Sequence, residues 1–310
     1  MPFTLDPELA AMAGGNRTGP VWDLPRGDAI ALRNSINTAM EMIDAAQPDS
    51  PDVRTASYTV PVGGGEILAR WYMKEHSAPR SAVVYYHGGG MVGGSVNVFD
   101  RVVAKYVQNT DVPFLSVDYR LAPEYPGTVL VDDGKAALAW FMARAEEFHV
   151  DPARIAVMGD SGGGGVAAGV AIAARDAGVA VAKQLLIYPM LDDRTVDPDP
   201  ELDGLAPWSY DNNFTGWNAV LGESRGTEDV PARAAPARLT DFTGLAPAFI
   251  DVGELDIYRD ECILYARNLT LAGVSTELYV RPGVPHGFDR INIEIARRSW
   301  ADRYRAIQAI

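Results

Sequence analysis

The chain has 310 residues, of which 47% are hydrophobic and 22% are charged, a composition typical of a globular protein with a large apolar core. Extensive disorder is therefore excluded, and the length suits one α/β domain that carries an insertion. Lys and Arg total 27 against 41 Asp and Glu, and the resulting net charge of −14 would repel a polyanion, which argues against nucleic acid as a partner.

The beginning of the chain shows no targeting pattern. Its first eight residues contain no basic segment and no continuous apolar segment, so no signal peptide is predicted. No apolar run in the chain approaches the roughly 18 residues that cross a bilayer. The single cysteine, Cys262, has no partner for an intrachain disulfide. These features predict a cytoplasmic protein without a membrane span.

The first 73 residues contain a polar arm and then a strand pair. Apolar residues recur at helical spacing over 29–43, and two prolines at 48 and 51 end this pattern. Residues 57–62 and 66–73 have the composition of strands, and three consecutive glycines join them. This arrangement predicts a β-hairpin.

From residue 82 onwards, short apolar runs alternate with longer amphipathic segments. The predicted strands are 82–86, 113–119, 155–159, 184–188, 248–252 and 276–280. The predicted helices are 97–109, 129–147, 162–176, 258–272 and 292–309. The strands show little polar alternation, which is typical of parallel strands covered on both faces. Together with the hairpin they predict an α/β fold with a mostly parallel, eight-stranded sheet and helices on both faces.

Residues 191–245 interrupt this alternation. The segment contains several prolines and the aromatic residues Trp208, Tyr210, Phe214 and Trp217, which makes it too aromatic for a disordered linker. We expect it to fold over the sheet as a cap, together with about residues 1–50. The whole chain, 1–310, is then a single domain.

The motif Gly-Asp-Ser-Gly-Gly at 159–163 lies between an apolar strand and an Ala-rich helix. This is the context that a nucleophile turn of the G-x-S-x-G type requires. The flanking Gly159 and Gly163 suit a sharp turn in which a Cβ atom would collide with neighbouring backbone. The helix that follows directs its positive end towards the place where an oxyanion would form. Ser161 is therefore the predicted nucleophile.

This stretch also permits three other interpretations. The same five residue types surround the nucleophile of trypsin-like proteases, but those proteins are all-β and order their triad His, Asp, Ser. Gly163, Gly165 and Ala168 also match G-x-G-x-x-A of dinucleotide sites, although four consecutive glycines match it easily and the acidic residue about 20 positions later is missing. A glycine-rich turn that merely packs a helix on a strand remains open from this stretch alone.

A serine nucleophile needs a general base, and the chain contains four histidines. His76 and His149 lie in polar segments and are expected to be exposed. His87 directly follows a predicted strand and begins the motif His-Gly-Gly-Gly. His286 lies between Pro and Gly in the loop after the last predicted strand, a position typical of functional residues, and is the predicted base.

The third member of a triad is a carboxylate that orients the histidine. Five carboxylates occur between residues 251 and 261. We predict Asp256, because it comes just after a strand, where α/β folds place catalytic groups; its alternative role is a helix N-cap. Asp251 should lie within the strand, while Asp260 and Glu261 should lie in the first turn of a helix.

The motif His-Gly-Gly-Gly at 87–90 can supply the oxyanion hole, because backbone without side chains can aim N–H groups at a developing negative charge. Gly88 and Gly89 are the predicted donors, and the N–H of Gly162, the residue after the nucleophile, is the third. His87 is expected to brace this loop through hydrogen bonds.

Five motifs occur together in one order. They are His-Gly-Gly-Gly at 87–90, Asp-Tyr-Arg-Leu-Ala-Pro-Glu at 118–124, Gly-Asp-Ser-Gly-Gly at 159–163, Glu-Leu-Asp-Ile-Tyr-Arg-Asp-Glu at 254–261 and His-Gly-Phe at 286–288. In these motifs the chain resembles the hormone-sensitive-lipase-like, or family IV, carboxylesterases of the α/β-hydrolase fold, among them bacterial heroin-esterase-type enzymes. The resemblance covers roughly residues 50–310.

The resemblance implies a serine carboxylesterase of short- to medium-chain acyl esters that works through an acyl-enzyme and needs no cofactor or metal. It also implies that residues 118–124 support the oxyanion loop and that a homodimer forms through the sheet edge near 276–280. The alternatives are amide or peptide hydrolysis on the same triad, or a non-catalytic receptor for a small molecule.

The chain departs from the family pattern at three places. Met91 stands where the family usually has Trp or Phe, Gly162 where Ala is usual, and Ile-Tyr at 257–258 where Pro-Leu is usual. None of these changes removes a predicted catalytic group. The residues that could line a substrate pocket are Trp22, Met91, Trp208, Tyr210, Phe214, Trp217 and Phe288. Aromatic residues of a cap also commonly form its own core.

Overall fold

The computed structural model of the chain describes residues 3–12, 24–78, 80–202 and 207–310. Within these residues, eight strands form one sheet in the order β1-β2-β4-β3-β5-β6-β7-β8. The strands are β1 Val53–Val62, β2 Gly65–Lys74, β3 Ala82–Tyr86, β4 Phe114–Val117, β5 Ile155–Asp160, β6 Gln184–Ile187, β7 Ala248–Gly253 and β8 Thr276–Arg281.

The strand pairing confirms the predicted fold class. β1 and β2 form an antiparallel hairpin in which Val62 is opposite Gly65, and β2 is also antiparallel to β4. From β4 onwards every neighbouring pair is parallel. β3 to β7 are buried at every residue, whereas β8, at the edge, is partly exposed. The continuous apolar runs therefore form the central parallel strands, as their lack of alternation predicted.

Helices cover both faces of the sheet. They are α1 Pro7–Met12, α2 Ala29–Ala45, α3 Asp100–Thr110, α4 Val129–Met142, α5 Gly162–Asp176, α6 Tyr210–Leu221, α7 Arg259–Leu271 and α8 Glu294–Gln308. The step from β3 to β4 runs along the sheet in the opposite direction to the steps from β4 to β5, β5 to β6 and β7 to β8. Because parallel crossovers are right-handed, α3 lies on one face and α4, α5 and α7 lie on the other. α8 packs against α3.

The predicted helix 129–147 is shorter in the structure, since α4 ends at Met142. The chain then turns, and Phe148 packs against Trp71 and Phe141 with ring centroids 4.9 and 5.1 Å apart. A helix continued to residue 147 would not bring this side chain back beneath the hairpin. The aromatic packing under β1 and β2 therefore decides where α4 ends.

Among its described residues, the inserted segment 191–245 contains one α-helix, α6, and two short 3-10 helices, Gly222–Ser224 and Pro236–Arg238, and otherwise consists of turns and loops. α6 packs against α2 of the N-terminal arm. Trp217 on α6 is completely buried. None of the helices in the described ranges combines the length and the apolar character that crossing a membrane requires.

A cluster of buried charges attaches α8 to the sheet. Asp251 on β7 is completely buried and accepts hydrogen bonds from Arg281 at 2.7 Å and from Arg303 at 2.8 Å. Arg303, also completely buried, forms a second ion pair with Asp289 at 2.5 Å. Burying charges is costly unless each one is paired. The pairing thus holds α8, the end of β8 and the loop before α8 in one arrangement.

We predict that Arg303→Met lowers the free energy of unfolding by about 3–5 kcal/mol, because it leaves Asp251 and Asp289 buried without a shared counter-charge. Arg305→Met on the same helix is the control. Arg305 and its partner Glu277 are 51% and 41% exposed, so this variant should lose at most about 1 kcal/mol. Urea unfolding measures both, and equal losses in the two variants would contradict the prediction.

Candidate active site

Ser161 lies in a sharp turn between β5 and α5. Its backbone has φ 55° and ψ −120°, a conformation that residues with a side chain rarely adopt. The turn requires glycine on both sides: a Cβ at Gly159 would lie 2.0 Å from the carbonyl oxygen of Gly163, and a Cβ at Gly163 would lie 2.1 Å from that of Tyr86. The sequence around Ser161 therefore permits a turn that presents its hydroxyl at the carboxyl end of the sheet.

His286 and Asp256 meet Ser161 at this edge of the sheet. His286 Nε2 lies 2.9 Å from Ser161 Oγ, and His286 Nδ1 lies 2.7 Å from Asp256 Oδ2. The three residues follow β5, β7 and β8, which run parallel, so their carboxyl ends share one edge. Such a chain of hydrogen bonds allows the imidazole to accept the serine proton while the carboxylate stabilises the imidazolium.

Asp256 is completely buried. Its Oδ1 accepts a hydrogen bond from the N–H of Tyr258 at 3.0 Å. Tyr258, and not Asp256, is the N-cap of α7, so the alternative role considered for Asp256 is not the one it has. Both carboxylate oxygens of Asp256 therefore have hydrogen-bond partners: Oδ1 the N–H of Tyr258 and Oδ2 the Nδ1 of His286.

The neighbouring carboxylates have other partners. Asp251 lies within β7, as predicted, and belongs to the buried charge cluster. Asp260 and Glu261 lie in the first turn of α7, also as predicted. Asp260 is exposed and pairs with Arg259. Glu261 is buried and accepts hydrogen bonds from the N–H of Leu191 and the hydroxyl of Thr195. Glu261 therefore attaches the first turn of α7 to residues 191–195.

The loop at 87–90 lies directly against Ser161. A Cβ at Gly88 would lie 3.6 Å from Ser161 Cβ, and a Cβ at Gly162 would lie 2.9 Å from the nitrogen of Gly90. Gly89 has φ 122°, in the region that favours glycine. Backbone from this loop and from the start of α5 thus surrounds the nucleophile, and these are the groups that an oxyanion hole needs.

His87 is completely buried beneath this loop. Its Nδ1 lies 2.9 Å from the carbonyl oxygen of Gly88, and its ring stacks on Tyr119 at 4.4 Å. The Tyr119 hydroxyl donates to the carbonyl oxygen of His87 at 2.6 Å. Burial lowers the pKa of His87, which favours the neutral ring. The contacts of His87 are those of a residue that braces the loop. His76 and His149 are exposed.

Residues 118–124 support the same loop from a second side. Asp118 accepts a hydrogen bond from Val96 N at 2.9 Å, and Ala122 N donates to the carbonyl oxygen of Met91 at 3.1 Å. Arg120 forms an ion pair at 2.7 Å with the buried Asp133 on α4. This segment therefore ties the loop to the body of the fold.

Helix α2 of the N-terminal arm supports the loop from a third side. Arg33 Nε donates to the carbonyl oxygen of Val92 at 2.5 Å, and Arg33 Nη2 donates to that of Ala122 at 2.7 Å. The same guanidinium pairs with Glu124 at 2.6 Å. One turn later, Asn37 accepts a hydrogen bond from Gly94 N at 2.8 Å. The arm is thus part of the framework behind the loop.

The predicted pocket residues lie in different environments. Trp208 is buried with its six-membered ring against Gly90, where a Cβ would lie 2.3 Å from the ring, and its centroid lies 6.4 Å from that of His286. Met91 is buried beside Gly165. Trp217 and Phe288 have no exposed surface and belong to the core.

The remaining candidates are Phe214, Tyr210 and Trp22. Phe214 lies between the guanidinium groups of Arg26 and Arg225, 4.0 and 4.5 Å from its ring centroid. Tyr210 is buried. Trp22 lies outside the described residues. Trp208 is therefore the candidate that lies beside both the loop and His286.

Two tyrosines that sequence reasoning missed pack against His286. The ring centroid of Tyr188 lies 4.6 Å from that of the imidazole, and that of Tyr258 lies 5.2 Å from it. Both rings are steeply inclined to the imidazole, at 63° and 85°. Tyr188 directly follows β6, at the carboxyl edge of the sheet, and this position was the available signal. Tyr258 is two residues after Asp256.

Buried charges lie behind the nucleophile. Burial raises the pKa of Asp160 to about 6, although Arg290, at 3.8 Å, acts in the opposite direction. Burial alone would also raise the pKa of Asp289, but Arg303 and Arg290 lower it below its usual value. Asp289 also accepts a hydrogen bond from the Tyr188 hydroxyl at 2.9 Å. These contacts fix the segment that follows His286.

No three His, Cys, Asp or Glu side chains of the described residues are grouped so that they could hold a metal ion.

Comparison with known proteins identifies the family. Residues 83–290 match a family described as having the alpha/beta hydrolase fold. The carboxylic ester hydrolase LipN of Mycobacterium tuberculosis is 32% identical over 292 residues, which cover 92% of this chain and 77% of LipN. The ethyl acetate hydrolase of Pseudomonas putida is 30% identical over 298 residues, which cover 93% of each chain.

Among solved structures, a bacterial heroin esterase superposes with a TM-score of 0.87 at 37% identity, over 99% of this chain and 98% of that chain. The resemblance inferred from the five motifs is confirmed. Fold, relatives and motifs agree, and the chain belongs to the α/β-hydrolase family, in its hormone-sensitive-lipase-like branch, and is a serine carboxylic ester hydrolase.

Proposed function

We propose that Ser161, His286 and Asp256 are the catalytic triad and that Gly88, Gly89 and Gly162 form the oxyanion hole of this esterase. The observation that carries the proposal is the unbroken hydrogen-bond chain from Ser161 Oγ through the imidazole to Asp256 Oδ2. A serine hydroxyl is a weak nucleophile, and a base within hydrogen-bonding distance is what activates it.

In the first half of the reaction, His286 Nε2 accepts the proton of Ser161 as Oγ attacks the ester carbonyl carbon. Asp256 keeps the proton on Nδ1 and stabilises the imidazolium that forms. The N–H groups of Gly88, Gly89 and Gly162 donate to the oxygen that becomes negative. His286 then gives the proton to the leaving alkoxide, and an acyl-enzyme remains.

In the second half, His286 accepts a proton from a water molecule, which attacks the acyl carbon. The same N–H groups stabilise the second tetrahedral intermediate. His286 returns the proton to Ser161 Oγ as the carboxylic acid leaves. The triad residues and the oxyanion donors supply all groups that these steps require, without a cofactor or metal.

We further propose that the substrates are esters of short- to medium-chain acids. Trp208 supports this proposal, because its indole occupies space between the oxyanion loop and His286. A relative named ethyl acetate hydrolase also supports a small acyl group. In this proposal about residues 1–50 and 191–245 form a cap within the single domain, and the packing of α2 against α6 supports their association.

Ser161→Ala should lower kcat/KM for p-nitrophenyl acetate by about 10⁴-fold or more, because the nucleophile is removed while the oxyanion hole remains. Labelling by a fluorophosphonate probe should disappear as well.

The wild-type enzyme should prefer p-nitrophenyl acetate and butyrate to laurate and should cleave the matched anilide far more slowly. Full activity of Ser161→Ala would refute the triad, and a preference for the anilide would favour amide hydrolysis.

Arg33→Met should lower kcat roughly three- to tenfold, because about 1 kcal/mol of hydrogen bonding that holds the oxyanion loop is lost. KM should change less, since the loop acts mainly on the transition state. Arg26→Met, on the same arm, is the matched control. Arg26 and its partner Asp211 are 49% and 59% exposed. Steady-state kinetics that show the same kcat for both variants would contradict the bracing role.

We also propose a homodimer formed through β8. This strand lies at the edge of the sheet, and Val280 on it is 36% exposed; an open edge can pair with a second chain. Light scattering during size-exclusion chromatography should then give about twice the 33.4 kDa of one chain. Val280→Asp should yield monomer, whereas Val179→Asp, at a residue 37% exposed outside β8, should not. A monomeric wild type would overturn the proposal.

A further inference from the structure

A closed ring of buried polar contacts joins helix α7 to the inserted segment 191–245. Two members, Tyr258 and Glu261, lie at the start of α7, immediately after the turn that carries Asp256. The other two, Thr195 and Asn213, belong to the inserted segment, and Asn213 lies on α6. Tyr258 and Asn213 have no exposed surface, and Glu261 is 6% exposed.

The contacts run from α7 through the inserted segment and back to α7. The Tyr258 hydroxyl donates to Asn213 Oδ1 at 2.8 Å, and Asn213 Nδ2 donates to the carbonyl oxygen of Thr195. The Thr195 hydroxyl donates to Glu261 Oε2 at 2.6 Å. Because buried polar groups are costly without partners, these contacts oppose movement of α6 away from α7.

Tyr258 connects this ring to the His286–Asp256 pair. Its backbone N–H donates to Asp256 Oδ1 at 3.0 Å, and its ring packs on the imidazole at 5.2 Å and 85°. Tyr188 packs against the same imidazole at 4.6 Å. An imidazole that is held by two aromatic rings can rotate little about its bond to Cβ. Tyr258 therefore contacts Asp256, His286 and, through its hydroxyl, Asn213 of the inserted segment.

The hydroxyl of Tyr258 makes the direct hydrogen bond to Asn213. Tyr258 stands at one of the positions where the sequence departs from its family pattern, which has leucine there. A leucine could fill part of the same space but could not donate to Asn213. The direct hydrogen bond between α6 and the residue that packs on His286 is therefore made by the Tyr258 hydroxyl.

We propose that Tyr258 and Asn213 are positioning residues that couple the seating of α6 to the orientation of His286. The inference rests on the proposed role of His286 as the general base. When α6 is seated, the ring of contacts holds the Tyr258 side chain against the imidazole, with Nε2 directed towards Ser161. When the link is removed, the imidazole samples orientations from which it cannot accept the serine proton.

The first test is Tyr258→Phe, which removes the hydroxyl and keeps the ring. We expect kcat for p-nitrophenyl acetate to fall roughly three- to tenfold, as for the loss of one hydrogen bond that acts on the transition state, with KM within about twofold. The rate of fluorophosphonate labelling should fall by the same factor, since it also requires an oriented base.

Tyr265→Phe is the matched control. Tyr265 is also buried on α7, and its hydroxyl has no hydrogen-bond partner among the described residues. Its ring packs on Phe242 at 5.2 Å. This variant should keep the wild-type kcat. If both variants had the same kcat at equal urea midpoints, the hydroxyl of Tyr258 would have no positioning role and the proposal would be overturned.

A double-mutant cycle with Asn213→Ala tests the coupling itself. The double variant Tyr258→Phe/Asn213→Ala should have nearly the kcat of Asn213→Ala alone, because both substitutions break one link. If the double variant lost kcat by the product of the two single-variant factors, the proposal would be overturned. Ser161→Ala separates this outcome from the proposed function. An inactive Ser161→Ala beside an unimpaired Tyr258→Phe rejects only the coupling, whereas an active Ser161→Ala rejects the triad.

Discussion

The backbone turn at Ser161 is the constraint on which the active edge of the molecule depends. Its positive φ is unfavourable for a residue with a side chain, and the turn persists because β5, α5 and the loop at 87–90 all pack against it without intervening Cβ atoms. The turn places the Ser161 hydroxyl at the carboxyl ends of the parallel strands. The same close packing brings the backbone of the loop at 87–90 and of the start of α5 against the turn.

The residues that surround this turn come from distant parts of the chain. Buried polar contacts hold their segments in place. The ion pairs of Asp251, Arg303 and Asp289 attach the segment after His286 to the sheet and to α8. Arg33 and Tyr119 hold the loop that follows β3 from two sides. Apart from Arg33, which is half-buried, these groups are buried, so breaking one contact leaves its partner unsatisfied. The framework is therefore stiff where the proposed chemistry needs it.

Much of this was predictable because the relevant signals are local. Glycines at 159 and 163 are required by the turn itself, and continuous apolar runs identified the buried parallel strands. Asp256 and His286 were singled out because each follows a strand, and parallel strands end at one edge. By contrast, the end of α4 at Met142 and the burial of Glu261 depend on neighbours remote in sequence, which periodicity does not report.

By itself, the sequence determined the fold class, the family and the residues that meet at Ser161, because turns, strand periods and short motifs are encoded within a few neighbouring positions. Only the tertiary structure decided which side chains surround those residues. Tyr188 and Tyr258 pack on His286, and Arg33 reaches the loop that follows β3, because elements far apart in the chain fold onto one another. Contacts of that kind arise from packing, and no local pattern specifies them.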